Sequence, residues 1–301
     1  MKLKIILLLC VGLSFGSVGC KKSDTAAADT AVAETAQQIG DAMASVDEAG
    51  GSSGTIASMQ GGVQKTFERL APNDIDQKQS LVAKLFLPQA EAVACDGYGF
   101  GTCAGGVITR NFNSCTIGAA TFTGTVALTW SNGSACSLAA PPEFITRIPD
   151  ITVTGRRGAT LKITKSGSFG QKMTWASGGI GSKVFSFTND GINRKFTDAG
   201  ATVLFDQTTS VTSPITVTGG SRAGRIMNGG TLHVVNNLTS RVCDYVPASV
   251  TWTAGCNCPT SGSWTGTCGT DTSTLTITGC GTGTFTDGST SQSVALDRCG
   301  T

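Results

Sequence analysis

The chain has 301 residues, a formal net charge of +2 and only 14% charged residues, where an average soluble domain has about a quarter. A nearly neutral chain lacks the basic field that binds nucleic acid, and no phosphate-binding glycine loop is present in it, so we expect neither nucleic acid nor nucleotide as a partner. Its 40 glycines and its many Thr and Ser residues instead predict a hydroxyl-rich surface.

The first twenty residues combine Lys2 and Lys4, an apolar run from residue 5 to residue 15, and the sequence Ser17-Val18-Gly19-Cys20. A charged start and a short apolar core predict a secretory signal, since a membrane-spanning helix needs roughly 18 or more apolar residues. The cysteine directly after Gly19 resembles the lipobox of Gram-negative lipoproteins, whose signal is cleaved just before a diacylglyceryl cysteine. The resemblance implies that residues 1–19 are a signal peptide and that Cys20 carries lipid.

A diacylglyceryl group supplies the two acyl chains that stable attachment to a bilayer requires. The expected partner is therefore a membrane, reached through the lipid anchor. Lys21 stands where an Asp would resemble the inner-membrane retention signal of enteric bacteria. We therefore expect a lipid-anchored protein of the outer membrane that faces the periplasm or the cell surface.

Three segments are predicted after the signal. Residues 20–62 are rich in Ala, Thr, Ser, Asp and Gly, which is typical of a solvated tether that is disordered or weakly helical and has no apolar stripe able to dock. Residues 63–94 hold a short helical segment, with a helix over Asp76–Leu87 that is capped by its Asp and ended by Pro88. Residues 95–301 form the folded domain.

In this domain, apolar and polar residues alternate with period two. The alternation is clearest in 121–130 and recurs in 160–164, 231–235 and 273–278, with a turn signal at Asn189-Asp190-Gly191. The repeated Thr-x-Thr follows from the preference of threonine for a wet strand face. Because no amphipathic helix interrupts the region, hairpins must connect the strands. We predict an all-β fold, a large antiparallel sandwich or a curled, barrel-like sheet.

The cysteines indicate disulfides. With Cys10 in the signal and Cys20 lipidated, ten of the 12 remain in an oxidising compartment. The local pairings we favour are Cys95 with Cys103, Cys115 with Cys136, and Cys280 with Cys299. A thiolate metal site at Cys256, Cys258 and Cys268 is the less favoured alternative, so no metal or cofactor is expected. The ten disulfide candidates are Cys95, Cys103, Cys115, Cys136, Cys243, Cys256, Cys258, Cys268, Cys280 and Cys299.

Any Ser-His or Cys-His chemistry would have to use His233, because it is the only histidine in the chain. His233 lies on the opposite strand face from Leu232 and Val234, so an exposed strand position is the simpler interpretation. The predicted folded domain, residues 95–301, contains no Gly-x-Ser-x-Gly elbow, and the chain contains no His-Glu-x-x-His motif. We therefore expect no catalytic residues and no enzyme, and a hydrolase is the less favoured alternative.

Trp252 and Trp264 are candidates for stacking on a glycan, with core packing as the alternative. The lipobox, the tether and the Thr/Gly-rich, Cys-bonded β-domain together resemble uncharacterised envelope lipoproteins of predatory Gram-negative bacteria, a likeness that implies no activity. The expected function is a non-enzymatic outer-membrane lipoprotein, either structural or a surface-binding module that contacts glycans, another cell or another envelope protein. The alternative is a periplasm-facing accessory factor of an envelope complex.

Overall fold

The computed structural model describes residues 35–37, 39–40, 42–43, 66–67, 69–71, 102–117 and 120–296. In these residues the all-β prediction is confirmed, because 16 antiparallel strands form one sheet that curls into a ring. The signal peptide, Cys20, the predicted helix Asp76–Leu87, Cys95 and Cys299 lie outside the described residues.

One 3-10 turn, Ile180–Ser182, lies among the described strands. In chain order they are β1 (Val107–Ile117), β2 (Ala120–Trp130), β3 (Phe144–Thr154), β4 (Thr160–Lys165), β5 (Gln171–Ser177), β6 (Val184–Asn189), β7 (Ile192–Thr197), β8 (Val203–Ser213), β9 (Ile215–Thr218), β10 (Ile226–Asn228), β11 (Thr231–Asn236), β12 (Arg241–Trp252), β13 (Pro259–Cys268), β14 (Asp271–Gly279), β15 (Thr282–Asp287) and β16 (Thr290–Ala295).

Several of the short strands are two halves of one long strand. Along one edge, β3 pairs with β4 through residues 150–154 and with β5 through residues 144–147, so β4 and β5 lie end to end. Strands β6 and β7, β8 and β9, and β10 and β11 lie end to end in the same way, each pair along the same neighbouring strands. The sheet is therefore a meander in which each long strand pairs with its neighbours in the sequence.

The alternating segments of the sequence are strands, as predicted: they fall in β2, β4, β11 and β14. The turn signal at Asn189-Asp190-Gly191 has a different outcome. It marks the interruption between the collinear strands β6 and β7, where the chain continues in the same direction. Bulges and hairpin turns require the same residue types, so composition alone does not separate them.

Asp190 holds this interruption together. Its carboxylate accepts hydrogen bonds from the backbone N–H groups of Ser168, Phe169 (2.8 Å) and Gly170 (2.7 Å), and from the Ser168 hydroxyl (2.8 Å). Partial burial opposes ionisation, but these hydrogen bonds outweigh it and lower the pKa of Asp190. The carboxylate thus satisfies the backbone donors of residues 168–170, in the connection between β4 and β5.

Residues 35–37, 39–40 and 42–43, here called the first helical segment, pack inside the ring. Ala36, Ile39, Ala42 and Met43 are each 3% exposed or less and belong to one hydrophobic cluster with Trp264 and Leu296. The prediction of a solvated tether without a docking face is wrong for these residues. A helix enclosed by a ring needs small side chains around it rather than one large apolar stripe, and Ala and Gly provide them.

Residues 66–67 and 69–70 form the second helical segment, which is buried in the other hydrophobic cluster. The ring of Phe67 packs edge-on against Phe196 with centroids 5.1 Å apart, and the Thr66 hydroxyl accepts a hydrogen bond from the Arg194 guanidinium (3.5 Å). Phe112, Phe122 and Phe205 complete the aromatic part of this cluster. The two helical segments therefore contribute to the two hydrophobic clusters on the inner face of the sheet.

The two ends of the ring differ. At one end, the loop end, the connections are residues 131–143, 178–183, 219–225, 253–258 and 280–281. At the other end, the turn end, the described connections are residues 155–159, 198–202, 237–240, 269–270 and 288–289. Four of the five described connections at the loop end have six or more residues, whereas those at the turn end have at most five.

Three disulfides join described cysteines: Cys103–Cys136, Cys243–Cys268 and Cys256–Cys280. Cys115 and Cys258 are disulfide-bonded as well, so all eight described cysteines are oxidised, as predicted. The proposed local pairings are wrong, because Cys103 bonds Cys136 and Cys280 bonds Cys256. Bridges follow proximity in the folded sheet: Cys243 and Cys268 are opposite each other on β12 and β13, with Cα atoms 4.2 Å apart.

Candidate functional site

The two tryptophans proposed to bind glycans lie in the core. Trp252 is 3% exposed and Trp264 is fully buried, where its indole N–H lies 3.2 Å from the Met43 sulfur. The prediction that these two residues stack on a glycan is wrong, because alternation along β12 and β13 turns both rings to the inner face. Neither ring is accessible to a ligand.

His233 lies on the outer face of β11, as predicted, and pairs with an acidic residue. Its Nδ1 atom is 2.8 Å from Asp244 Oδ1 on β12, and its cross-strand neighbour on the other side is Ser210 on β8. The order Ser, His and Asp across three strands matches a hydrolase triad in residue type. However, within the described residues no hydrogen bond joins Ser210 to His233, and the neighbouring N–H groups are committed to the strand ladder.

Two carboxylates on the outside of the ring, Asp206 and Asp198, have structural partners. Asp206 accepts hydrogen bonds from the Asn193 (2.8 Å) and Asn237 (2.7 Å) side chains and pairs with Lys195 at 3.4 Å. Partial burial opposes ionisation of Asp206, but these contacts together lower its pKa. Asp198 accepts from two N–H groups of its own turn, at Gly200 and Thr202. These contacts assign the carboxylates to the support of turns and strands.

A thiolate metal site is excluded at Cys256, Cys258 and Cys268, because all three are disulfide-bonded. In the part of the chain that the structure describes, no group of three or more His, Cys, Asp or Glu side chains is arranged to hold a metal ion.

The most regular feature of the surface is a double row of hydroxyl side chains, which we call the hydroxyl face. The register of β13 to β16 places two sets of four residues in line across the strands on the outer side. The first row is Thr265, Thr274, Thr286 and Ser291, and the second row is Ser263, Thr276, Thr284 and Ser293. None of these eight residues is buried and none carries a charge.

The core fixes the direction of these side chains. Trp264, Leu275 and Phe285 alternate with the hydroxyl residues and are at most 1% exposed, so the opposite face must point outward. Within the described residues, only the Thr286 and Ser291 hydroxyls bond each other (3.1 Å), and the other six have no protein partner. Neighbouring strands lie about 4.8 Å apart and alternate residues about 6.8 Å apart, so the hydroxyl face covers roughly 14 by 7 Å.

Exposed valines on β12 adjoin the hydroxyl face, and we call them the valine patch. Val242 and Val246 are 40% and 43% exposed, and they flank Asp244 on the same side of the strand. Val246 is the cross-strand neighbour of Thr265, so the patch continues the first row of hydroxyls. Sequence reasoning missed this site, although the Thr-x-Thr repeats were its signal, because the register between strands was unknown.

No protein-family model matches this chain, and no curated protein or solved structure shows significant similarity to it. Among the described residues, no helix is long and apolar enough to cross a membrane.

Proposed function

We propose that this protein is a non-enzymatic lipoprotein, anchored in the outer membrane through Cys20, whose β-ring is a binding module for uncharged glycans on an envelope or cell surface. The observation that carries the proposal is the hydroxyl face: six outward hydroxyls that have no partner among the described residues, held in register by strands whose other side is core. A rigid scaffold orders these groups before the ligand arrives, which lowers the entropic cost of binding.

The chemistry of the hydroxyl face favours a neutral, hydroxyl-bearing ligand. Each Thr or Ser hydroxyl both donates and accepts, as sugar hydroxyls do, and the eight positions carry no cation to select a phosphate or an acidic glycan. A single such hydrogen bond contributes only about 1 kcal/mol net, so one copy binds weakly. Lipid anchoring places many copies on one surface, and multivalent contact then raises the avidity.

Isosteric substitution tests the binding face. Vesicles that carry the lipidated full chain are incubated with an array of neutral and acidic glycans, and Thr276→Val with Thr284→Val removes two hydroxyls while it keeps shape and strand preference. The matched control is Thr123→Val with Thr152→Val, an outer pair on β2 and β3. We expect the first variant, not the control, to lose binding to neutral glycans, and salt to have little effect. Binding that survives the first variant would refute this assignment.

The anchor has its own test. Cys20→Ala is expected to abolish incorporation of a palmitate analogue, because Cys20 is the acyl acceptor that the lipobox resemblance implies. Retained label in the variant would refute the anchor without affecting the glycan test.

The valine patch supports a second candidate, a periplasm-facing accessory factor that docks on an envelope protein. Exposed valines beside a polar His233–Asp244 pair are typical of a protein contact rather than a glycan contact. Val242→Ser with Val246→Ser would then abolish co-purification of a cross-linked envelope protein and leave glycan binding intact. Protease treatment of whole cells separates the two, since only a surface-exposed ring is cut.

A further inference from the structure

We infer that the loop end of the ring faces the lipid bilayer and that Ile180, at the tip of one of its loops, enters the interface between headgroups and acyl chains. This inference rests on the lipid anchor proposed above. It is carried by two independent observations, the place where the chain enters the ring and the most exposed large apolar side chain of the described residues.

The chain enters the ring at the loop end. Gln37 Nε2 donates to the carbonyl of Ala295 (2.6 Å), the last residue of β16, whose neighbour Leu296 bonds the loop residue Gly281. Met43 lies deeper, against Trp264, which is five residues inside β13. The second helical segment belongs to the other cluster, with Phe196 and Phe205. The first helical segment therefore runs inward from the loop end.

Covalent geometry then limits the distance to the membrane. Cys20 and Thr35 are 15 positions apart in the sequence, and a chain of that length spans at most about 50 Å when fully extended. Strands of 11 residues such as β3 are about 35 Å long, so placing the turn end at the bilayer would use most of this reach to pass the ring. The loop end is the end that the anchor holds nearest to the lipid.

Ile180 is placed for contact with that lipid. It is 81% exposed and lies in the loop of residues 178–183, of which residues 178–182 are all exposed. A hydrogen bond from Gly219 N–H to the Lys183 carbonyl (2.9 Å) ties this loop to residues 219–225. An isoleucine side chain gains free energy when it leaves water for an apolar phase, and no described core residue covers this one.

The charges beside the tip suit the headgroup region. Lys183, whose ammonium lies 4.1 Å from the centre of the Trp175 ring, follows the tip in the same loop, and Arg222 lies in the adjacent loop. An apolar tip flanked by cations matches an interface in which phosphate groups surround acyl chains. The one carboxylate in the described loops of this end, Glu143, accepts hydrogen bonds from Ala139 N–H (2.6 Å) and the Asn132 amide.

Photocross-linking in vesicles tests the orientation. The lipidated full chain, carrying Ile180→benzoylphenylalanine, is reconstituted in phosphatidylethanolamine and phosphatidylglycerol that contain tritiated phospholipid. The matched control is Leu238→benzoylphenylalanine, since Leu238 is 50% exposed at the turn end. Because an interfacial side chain is buried only 5–10 Å below the headgroups, we expect lipid label at position 180 to exceed that at position 238 by about tenfold.

The possible outcomes are separable because a palmitate analogue reports the anchor independently. If the palmitate label is present but phospholipid label is equal at both positions, greater at 238 or absent from both, the orientation is wrong and the anchor stands. A cross-link from position 180 to a second protein copy instead of lipid also overturns it. If no palmitate is incorporated, the anchor is wrong and the inference falls with it.

Discussion

The two ends of the ring are closed in different ways. At the turn end the described connections have two to five residues, and glycines with positive φ such as Gly158 (+99°) and Gly269 (+66°) allow the chain to reverse within them. At the loop end the connections are as long as residues 131–143, and the disulfides Cys103–Cys136 and Cys256–Cys280 tie them. Backbone geometry alone holds the short turns, whereas the long loops are restrained by disulfides and by the first helical segment, which enters the ring at that end.

The largest expected effect concerns that entering segment. Replacing residues 25–60 by a Gly/Ser linker of equal length removes Ala36, Ile39 and Met43 from the core. Loss of even one large buried side chain typically costs about 2–5 kcal/mol, so we expect the free energy of unfolding to fall by at least that amount. Chemical denaturation of the full chain, followed by tryptophan fluorescence, measures it.

Replacement limited to residues 25–34 is the control, because it leaves the first helical segment intact. If the longer replacement preserves both the midpoint and the fluorescence of Trp264, residues 35–43 act as a tether, and the two ends of the ring do not differ in this respect.

Much of the fold followed from the sequence. Period-two alternation located β2, β4, β11 and β14, and the lack of amphipathic helices between the predicted strands correctly indicated an antiparallel sheet. The burial of the first helical segment was not predicted, because Ala and Gly carry little hydrophobic signal. Its residues Ala36, Ile39, Gly40 and Met43 nevertheless recur with helical spacing. Whether such a segment is solvated or enclosed depends on the ring around it, which local pattern does not encode.

The candidate site was less predictable, because it depends on register. The hydroxyl face exists only when Thr265, Thr274 and Thr286 align across separate hairpins, and the pairing of Cys243 with Cys268 depends on the same kind of alignment. Alternation in the sequence predicted the outer position of His233, but it could not predict the contact with Asp244, which lies on the neighbouring strand. The prediction that Trp252 and Trp264 bind a glycan was wrong because large aromatic side chains on alternating strands are usually buried in the core.

The second prediction compares a disulfide at the loop end with one within the sheet. Cys256→Ser with Cys280→Ser opens a bridge of sequence separation 24, and Cys243→Ser with Cys268→Ser opens one of separation 25. Chain entropy alone predicts nearly the same loss for both, about 3.5 kcal/mol. Thermal unfolding by calorimetry would measure each.

A larger loss for the loop-end pair is expected, because strand pairing already holds Cys243 and Cys268 opposite each other. Equal losses would show that the loop-end disulfide stabilises the protein only by reducing the chain entropy of the unfolded state, and that the folded loops do not depend on it.

The third prediction concerns the middle of the sheet, between the two ends of the ring, where Asp190 holds the interruption between β6 and β7. The pKa of Asp190 is lowered in the folded protein, so its ionisation contributes stability above the unfolded-state value near 3.9, and this contribution is lost as pH falls through the folded-state pKa. Asp190→Asn should therefore reduce stability at pH 7 and flatten its decline below about pH 4. Urea titrations from pH 7 to pH 2 test this. An unchanged acid profile would mean that the loop around residues 166–170 does not depend on the charge.

The smallest expected effect sharpens the comparison of the ends most directly. Ile180 and Leu238 are exposed apolar residues at opposite ends, and neither belongs to a hydrophobic cluster. Ile180→Ser and Leu238→Ser should each change the free energy of unfolding by less than about 0.5 kcal/mol, as surface substitutions usually do. Any difference between them in resistance of the vesicle-bound protein to extraction then reports contact with lipid, because folding has been held constant. A loss of stability specific to Ile180→Ser would instead show that the Ile180 side chain packs on the ring, and it would contradict the proposal that this side chain contacts lipid.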